Sequence, residues 1–141
     1  MATSRPDGEN LTDAVRTTLV SSAVAARQGA YARYSKFSVG AAILAADGTI
    51  VCGANVENAS YGLTICAERV AIHAAVAAGH RQFQALAVAT LGGLTPCGAC
   101  RQVVAEFCED LPILLVDTAS DNAVSVTKLS VLLPNCFRLQ S

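Results

Sequence analysis

The sequence predicts an α/β fold, with a mixed, mostly parallel sheet of about five strands packed between helices. Three observations carry this expectation. After an opening pair of strands, apolar runs alternate with segments of helical period, the signature of strands linked through helices. The dipeptide Asp47-Gly48 sits between two apolar runs and marks a tight hairpin. Pro112 to Val116 is short and wholly apolar, as in a strand covered on both faces. At 141 residues the chain is expected to form one domain, with residues 1–10 as a polar, flexible tail.

The first helix is expected over Leu11 to Gln28, where Leu11, Ala14, Val15, Leu19, Ala23 and Ala26 fall at helical spacing. Asn10 or Thr12 would cap it and Gly29 end it. Polar and aromatic residues from Tyr31 to Lys36 read as a loop. Phe37 to Ala45 and Thr49 to Asn55 read as the hairpin strands. Cys66 to Ala78 is a second helix, stopped by Gly79. Phe83 to Leu91 is a strand and Gly92-Gly93-Leu94 a loop. Thr95 as cap and Pro96 at the first position open a third helix to about Cys108. Ala123 to Thr127 reads as a last strand and Leu129 to Leu133 as a short helical turn. The second helix carries Ala71, Ala74, Ala75, Ala77 and Ala78 and little charge after Arg69. It is expected to be buried on most sides, which implies a homo-oligomer.

Composition excludes several function classes. Hydrophobic residues make up 52% and charged residues 15%, with mean hydropathy +0.43, so the chain is not intrinsically disordered. Net charge is −1, from 10 basic and 11 acidic residues, whereas a protein gripping polynucleotide phosphates carries a basic excess. No apolar run reaches the ~18 residues that cross a bilayer, and no membrane partner is expected. The first ten residues lack the apolar core of a secretory signal, so a cytoplasmic, reducing location is expected. There the six cysteines are thiols or metal ligands rather than disulfides.

Two cysteine clusters stand out, Cys66-Ala67-Glu68-Arg69 and Pro96-Cys97-Gly98-Ala99-Cys100-Arg101, each at an expected helix start. Cys97 and Cys100 share one helical face, with Cβ atoms ~5–6 Å apart. Zinc with Zn–S of ~2.3 Å spans such a pair. Free N–H groups and the partial positive charge of a helix N-terminus favour thiolates there. Alone, this spacing also suits a redox pair or two core cysteines. Cys66 adds a third thiolate, and Glu68 a carboxylate that the first helical turn allows to converge on the same point. A fourth protein ligand is hard to find. His73 lies about 10 Å along the helix from Cys66. Cys108 is similarly remote from Cys100, Cys52 sits in an apolar strand as a buried small hydrophobe, and only Cys136 stays open. Three ligands leave an open position, the mark of catalytic zinc.

Cys66-Ala67-Glu68 followed by Pro96-Cys97-Gly98-Ala99-Cys100 resembles the signature of the zinc nucleobase deaminases. It is similar above all to cytidine deaminase, in the small form with an all-cysteine zinc site that assembles as a homotetramer. Tyr34-Ser35-Lys36-Phe37-Ser38-Val39-Gly40-Ala41, Asn55-Val56-Glu57-Asn58-Ala59-Ser60-Tyr61 and Leu132-Leu133-Pro134-Asn135-Cys136-Phe137 resemble three further family segments, in family order. The resemblance implies a three-layer α/β/α fold. It implies one Zn²⁺ per chain on Cys66, Cys97 and Cys100. The activity implied is hydrolytic deamination of cytidine and deoxycytidine, in pyrimidine salvage. Glu68 would move protons between water, the pyrimidine N3 and the leaving amine. Arg69 would lie against the thiolates and offset their charge, with Arg101 a weaker candidate. Asn55 and Glu57 are assigned the ribose, Phe37 the base, and Ala67 and Cys97 backbone contacts to it. Tyr61 and Phe137 would help close a neighbouring subunit's pocket.

Three rivals share parts of this pattern. A deaminase of another free heterocycle, of the blasticidin S type, shares the metal motif. A non-catalytic zinc-stabilised binding module leaves Glu68 unexplained. A thiol oxidoreductase needs only Cys97 and Cys100. His73 and His80 carry no assigned role, and Cys52, Cys108 and Cys136 read as packing thiols.

Overall fold

The structure, a computed structural model, describes residues 11–140. The expected tail over residues 1–10, and Asn10 as a cap, lie outside the described residues. Five strands form one sheet in the order β2-β1-β3-β4-β5. Helix α1 (Asp13–Ala26) leads through a single 3₁₀ turn into β1 (Gly40–Ala45) and β2 (Ile50–Ala54). Helix α2 (Ala67–Ala77), β3 (Phe83–Thr90), α3 (Gly98–Phe107), β4 (Pro112–Asp117), β5 (Ala123–Lys128) and the short α4 (Leu129–Leu132) follow.

Alternation of side chains along the strands sorts the core into two layers. Ala41, Ile43, Leu86, Val88, Ile113 and Leu115 face one side, where they pack with Ala71, Ile72 and Ala75 of α2 and Val104 and Ala105 of α3. Ala42, Leu44, Ala85, Ala87, Ala89, Leu114 and Val116 face the other, against Leu19 and Ala23 of α1. The mixed five-stranded sheet between helical layers is therefore as expected. Thr12 caps α1, its hydroxyl accepting from the Val15 N–H at 3.2 Å. Gly48 turns the hairpin with φ +93°.

The expected share of parallel pairing is not found. Among the strands of the described residues only β3 and β4 pair in parallel; β1–β2, β1–β3 and β4–β5 are antiparallel. The reason is topological. Helix α2 does connect two strands of the same direction, β2 and β3, but β1 lies between them. Alternation in sequence revealed the crossover and not the strand inserted under it.

That insertion positions the site. Gly40 at the start of β1 is level with Ala54 at the end of β2 and Ala89 near the end of β3, which is level with Val116 in β4. The carboxyl ends of β2, β3 and β4 thus share one sheet edge, and α2 and α3 both begin there. Ligands of open α/β sheets bind at such an edge. Two further expectations shift. The third helix starts at Gly98 with Cys97 as its cap residue, not at Pro96 with Thr95. Cys97 is extended at φ −66°, ψ 168°, so the turn enters the helix two residues later than the Thr-Pro pair suggested. Helix α2 buries only one face in the single chain; His73, Ala74 and Ala77 are exposed, because one sheet face covers one stripe of a helix. Among the described residues no helix is long and apolar enough to cross a membrane.

Close approach of α2 to β2 rests on Gly53. A Cβ built there meets the Ala67 carbonyl oxygen at 2.6 Å and the Ala71 amide nitrogen closer still. Both are backbone atoms that cannot step aside without moving the helix. Gly53→Ala is expected to destabilise the fold by about 2–3 kcal/mol, measured by urea denaturation. A midpoint equal to the parent's would show that the helix yields freely.

Candidate metal centre and adjoining cavity

Helices α2 and α3 bring their N-termini together, and a cysteine occupies the cap position of each. Cys66 is extended at φ −69°, ψ 153° before α2, and Cys97 stands likewise before α3. Neither uses its side chain to cap a backbone N–H. The first-turn amides of both helices therefore keep free donors and a positive potential at this point. Cys100, one turn into α3, is fully buried.

The three sulfurs converge. Cys66 Sγ lies 3.8 Å from Cys97 Sγ, and Cys97 Sγ lies 3.4 Å from Cys100 Sγ. All three fall within 4.8 Å of one another. Tetrahedral zinc with Zn–S of ~2.3 Å places its sulfurs ~3.8 Å apart, so the spacing fits that ion. Among the described residues no other group of three His, Cys, Asp or Glu side chains is gathered in this way. Cys136, the last open candidate for a fourth ligand, instead packs against the core, as does buried Cys108.

Charge around the sulfurs is arranged to hold anions. Arg69 Nη2 donates to Cys66 Sγ at 3.5 Å, and the Arg69 Nε–H is buried beside them without a partner. In the metal-free cluster the Cys66 thiol is held down at about 5. A hydrogen bond from Cys100 does most of this, against desolvation and with help from Arg69. Cys100 is pushed upward, since losing its proton breaks that bond and places a second charge beside Cys66. Glu68, 4% exposed, is pushed upward by desolvation, with the Cys66 charge adding to it. A raised carboxyl pKa suits a group that both takes and gives protons near neutral pH.

Beside the metal site lies a cavity of ≈ 280 Å³. Of the residues singled out from the sequence, it brings together Phe37, Asn55, Glu57, Cys66, Ala67 and Glu68. Tyr61 and Phe137 do not line it; they are 81% and 68% exposed on this chain's surface. Cys97 does not line it either. Arg101 does not turn to the sulfurs. Its guanidinium donates to the carbonyls of Pro96 and Leu132, both at 2.7 Å, and to Thr95 Oγ1 at 3.1 Å.

Asn55 and Glu57 have partners that spacing alone did not reveal. The Asn55 Oδ1 accepts from the Val39 N–H at 2.9 Å, and its Nδ2 donates to the Phe37 carbonyl at 2.8 Å. It thereby pins the irregular strand that carries Phe37. This segment stays outside β1 because its backbone groups pair chiefly with the side chains of Asn55, Ser35 and Arg27 and not with a ladder. Glu57 accepts from the amides of Tyr34 and Ser35, at 3.0 and 3.1 Å, and from the Ser35 hydroxyl. Its carboxyl is held below the usual range chiefly by the Ser35 bonds. Sequence reasoning missed Val88, Thr90, Leu94 and Thr95 as cavity walls. Thr90, a polar residue closing an apolar strand, was the one available signal. Cys52 also departs from expectation. It is exposed on the edge strand, its thiol 3.9 Å from the Ser22 carbonyl, because β2 has no outer neighbour.

Comparison with known proteins follows the same lines. Residues 14–114 match the family model described as the cytidine and deoxycytidylate deaminase zinc-binding region. A cytidine deaminase of Sporosarcina psychrophila is 50% identical over 122 residues, which is 84% of this chain and 88% of that protein. The crystal structure of a cytidine deaminase from Burkholderia pseudomallei superposes with TM-score 0.81 at 48% identity, covering 86% of this chain and 98% of that one. A blasticidin-S deaminase of Bacillus cereus is 29% identical over 91 residues, 57% of this chain.

Thiol chemistry of the metal-free protein tests the cluster. With its pKa lowered to about 5, Cys66 is thiolate above that pH and loses reactivity as pH falls through it. Cys108, pushed up to about 11 by burial, stays unreactive at neutral pH. Iodoacetamide mapping of the chelated protein at pH 7 is expected to modify Cys66 and spare Cys108, and one equivalent of zinc is expected to protect Cys66. Equal labelling of the two would contradict the electrostatics described.

Proposed function

The chain belongs to the cytidine deaminase family, and on that premise we propose how its residues carry out the reaction. It is a hydrolase of a C–N bond: cytidine and water give uridine and ammonia. Deoxycytidine is proposed as a second substrate.

The observation that carries the reading is the pairing of a three-sulfur site with a buried, proton-accepting Glu68 on the wall of one cavity. Zinc held by Cys66, Cys97 and Cys100 supplies Lewis acidity that draws the pKa of a water toward ~7. Glu68 takes the proton of the attacking water and passes it to N3 as oxygen adds at C4. The same carboxyl then collects the second water-derived proton, from the oxygen now on C4, and gives it to the amine as the C4–N bond breaks, the C4=O bond forms and ammonia leaves. Burial raises the Glu68 carboxyl pKa, which favours its holding a proton between these transfers. Three thiolates on a divalent ion sum to a net charge of −1, which opposes acidifying water. Arg69 and the two helix N-termini offset that charge.

Phe37 flanks the base, and Ala67 offers backbone groups to it. Asn55 and Glu57 face the sugar. The bonds of Asn55 to the Phe37 strand and of Glu57 to the Tyr34–Ser35 turn leave capacity for this, because a carboxylate has about four acceptor positions and Asn55 keeps a second amide hydrogen. A nucleoside is favoured over the blasticidin type because this sugar-facing pair sits beside Phe37 in the same cavity. Tyr61 and Phe137, exposed on the single chain, are proposed to complete a neighbour's pocket in a homotetramer. The exposed His73–Ala77 side of α2 supports such packing. The setting proposed is cytoplasmic recovery of pyrimidines.

Glu68→Gln is expected to keep one zinc per chain and to lower kcat at least about 10³-fold, read from ultraviolet absorbance on cytidine and from metal analysis. Substantial residual turnover would remove Glu68 from this role. Dilution or surface variants that yield zinc-loaded monomers in sedimentation are expected to be inactive; active monomers would exclude a shared site.

A further inference from the structure

The segment between β3 and α3 contributes Leu94 and Thr95 to the cavity wall, although nothing in its composition marks it as more than a loop. Its backbone is held from the neighbouring strand. Asp117, at the end of β4, is the ladder partner of Thr90, at the end of β3. The Asp117 Oδ1 accepts from the Gly92 N–H at 2.8 Å and from the Ala119 N–H at 2.9 Å. Gly93 rests on Asp117 so closely that a Cβ built on it would lie 3.3 Å from the aspartate Cβ. Gly92 and Gly93 adopt φ +91° and +61°, the left-handed conformations the bend requires. Buried Thr90 holds the far end of the bend, its hydroxyl accepting from the Leu94 N–H at 2.8 Å. Leu94 itself is 53% exposed, so packing does not fix it; these backbone bonds do.

We propose that Asp117 is a positioning residue for the substrate: by holding the Gly92 amide it sets the loop that presents Leu94 to the nucleoside. Asp117 touches no substrate and does not line the cavity. In this proposal its effect passes through the loop, chiefly through Leu94, the wall residue next to the bonds it holds, so it governs binding rather than proton transfer. The kinetic part of the test rests on the cytidine deaminase reading; the exchange part does not.

Four variants of the zinc-loaded protein test this: Asp117→Ala, Asp117→Asn, Leu94→Ala and the double Asp117→Ala/Leu94→Ala. Asp117→Ala is expected to raise KM for cytidine about tenfold with kcat within about twofold, the pattern of lost uniform binding. Asp117→Asn keeps an acceptor oxygen and is expected to restore KM to within about twofold of the parent. The double variant is expected to have the KM of Leu94→Ala alone, since both changes remove one contact. If Asp117→Ala does not fold, Asp117→Ser, a smaller change, is expected to move KM in the same direction. Hydrogen exchange, which needs no turnover, is expected to show faster exchange at Gly92 and Leu94 in Asp117→Ala and parental rates in Asp117→Asn. An unchanged KM, an Asn variant as impaired as Ala, additive effects in the double variant, or unchanged exchange would each overturn the proposal. If the parent protein fails to deaminate cytidine, the functional reading falls and the exchange rates alone decide the role of Asp117.

Discussion

Three cysteine sulfurs within 4.8 Å of one another are the constraint around which this end of the molecule is built. Thiolates at that distance repel strongly, and burial worsens the repulsion. Positive potential around them eases that repulsion. Here two helices contribute their N-termini at the same point, and neither spends its cap side chain on its own amides. Arg69, on the first turn of α2, adds a full charge 3.5 Å from Cys66. For both helices to begin side by side, the strands feeding them must end at one sheet edge. The shared direction of β2, β3 and β4 achieves this, with β1 lying antiparallel between β2 and β3.

The same requirement explains where glycine stands. Helix α2 must lie close on β2 for Cys66 to reach Cys97, and Gly53 leaves space for only a hydrogen atom there. On the other face Gly40 does the same for the end of α1, where an added Cβ would lie 2.6 Å from the Arg27 amide nitrogen. Alanine-rich strands continue this logic. Ala41, Ala42, Ala85, Ala87 and Ala89 form the sheet centre, so helices on both faces pack at short range. Little apolar area is buried per residue, and precision of approach takes its place.

Sequence patterns carried the metal ligands and Glu68 because their chemistry is local: a cysteine at a helix start, and a carboxylate two residues on, are visible in any short window. Phe37, Asn55 and Glu57 were legible through their likeness to family segments, and the structure gathers them in one cavity. What remained hidden depends on partners distant in sequence. Likeness could mark Asn55 and Glu57; it could not show that Asn55 holds the backbone of Phe37 and Val39, 18 and 16 residues away. Arg101 looked like a charge beside a ligand, yet three acceptors from two separate segments claim it. The direction of strand pairing escaped for the same reason, since alternation along the chain does not encode which strand inserts between two others.

These distant partners show how the cavity is divided. One wall, from Cys66 through Glu68, rides on α2 and moves only if the helix moves. The opposite walls are irregular: the Phe37 strand is fixed by Asn55, the Tyr34–Ser35 turn by Glu57, and the Leu94 loop by Thr90 and Asp117. Irregular backbone must find its hydrogen-bond partners in side chains, and each of these partners stands at or just beyond a strand end. The cavity is thus walled by the start of α2 and the end of β3 on one hand, and by irregular segments each pinned by one or two polar side chains on the other.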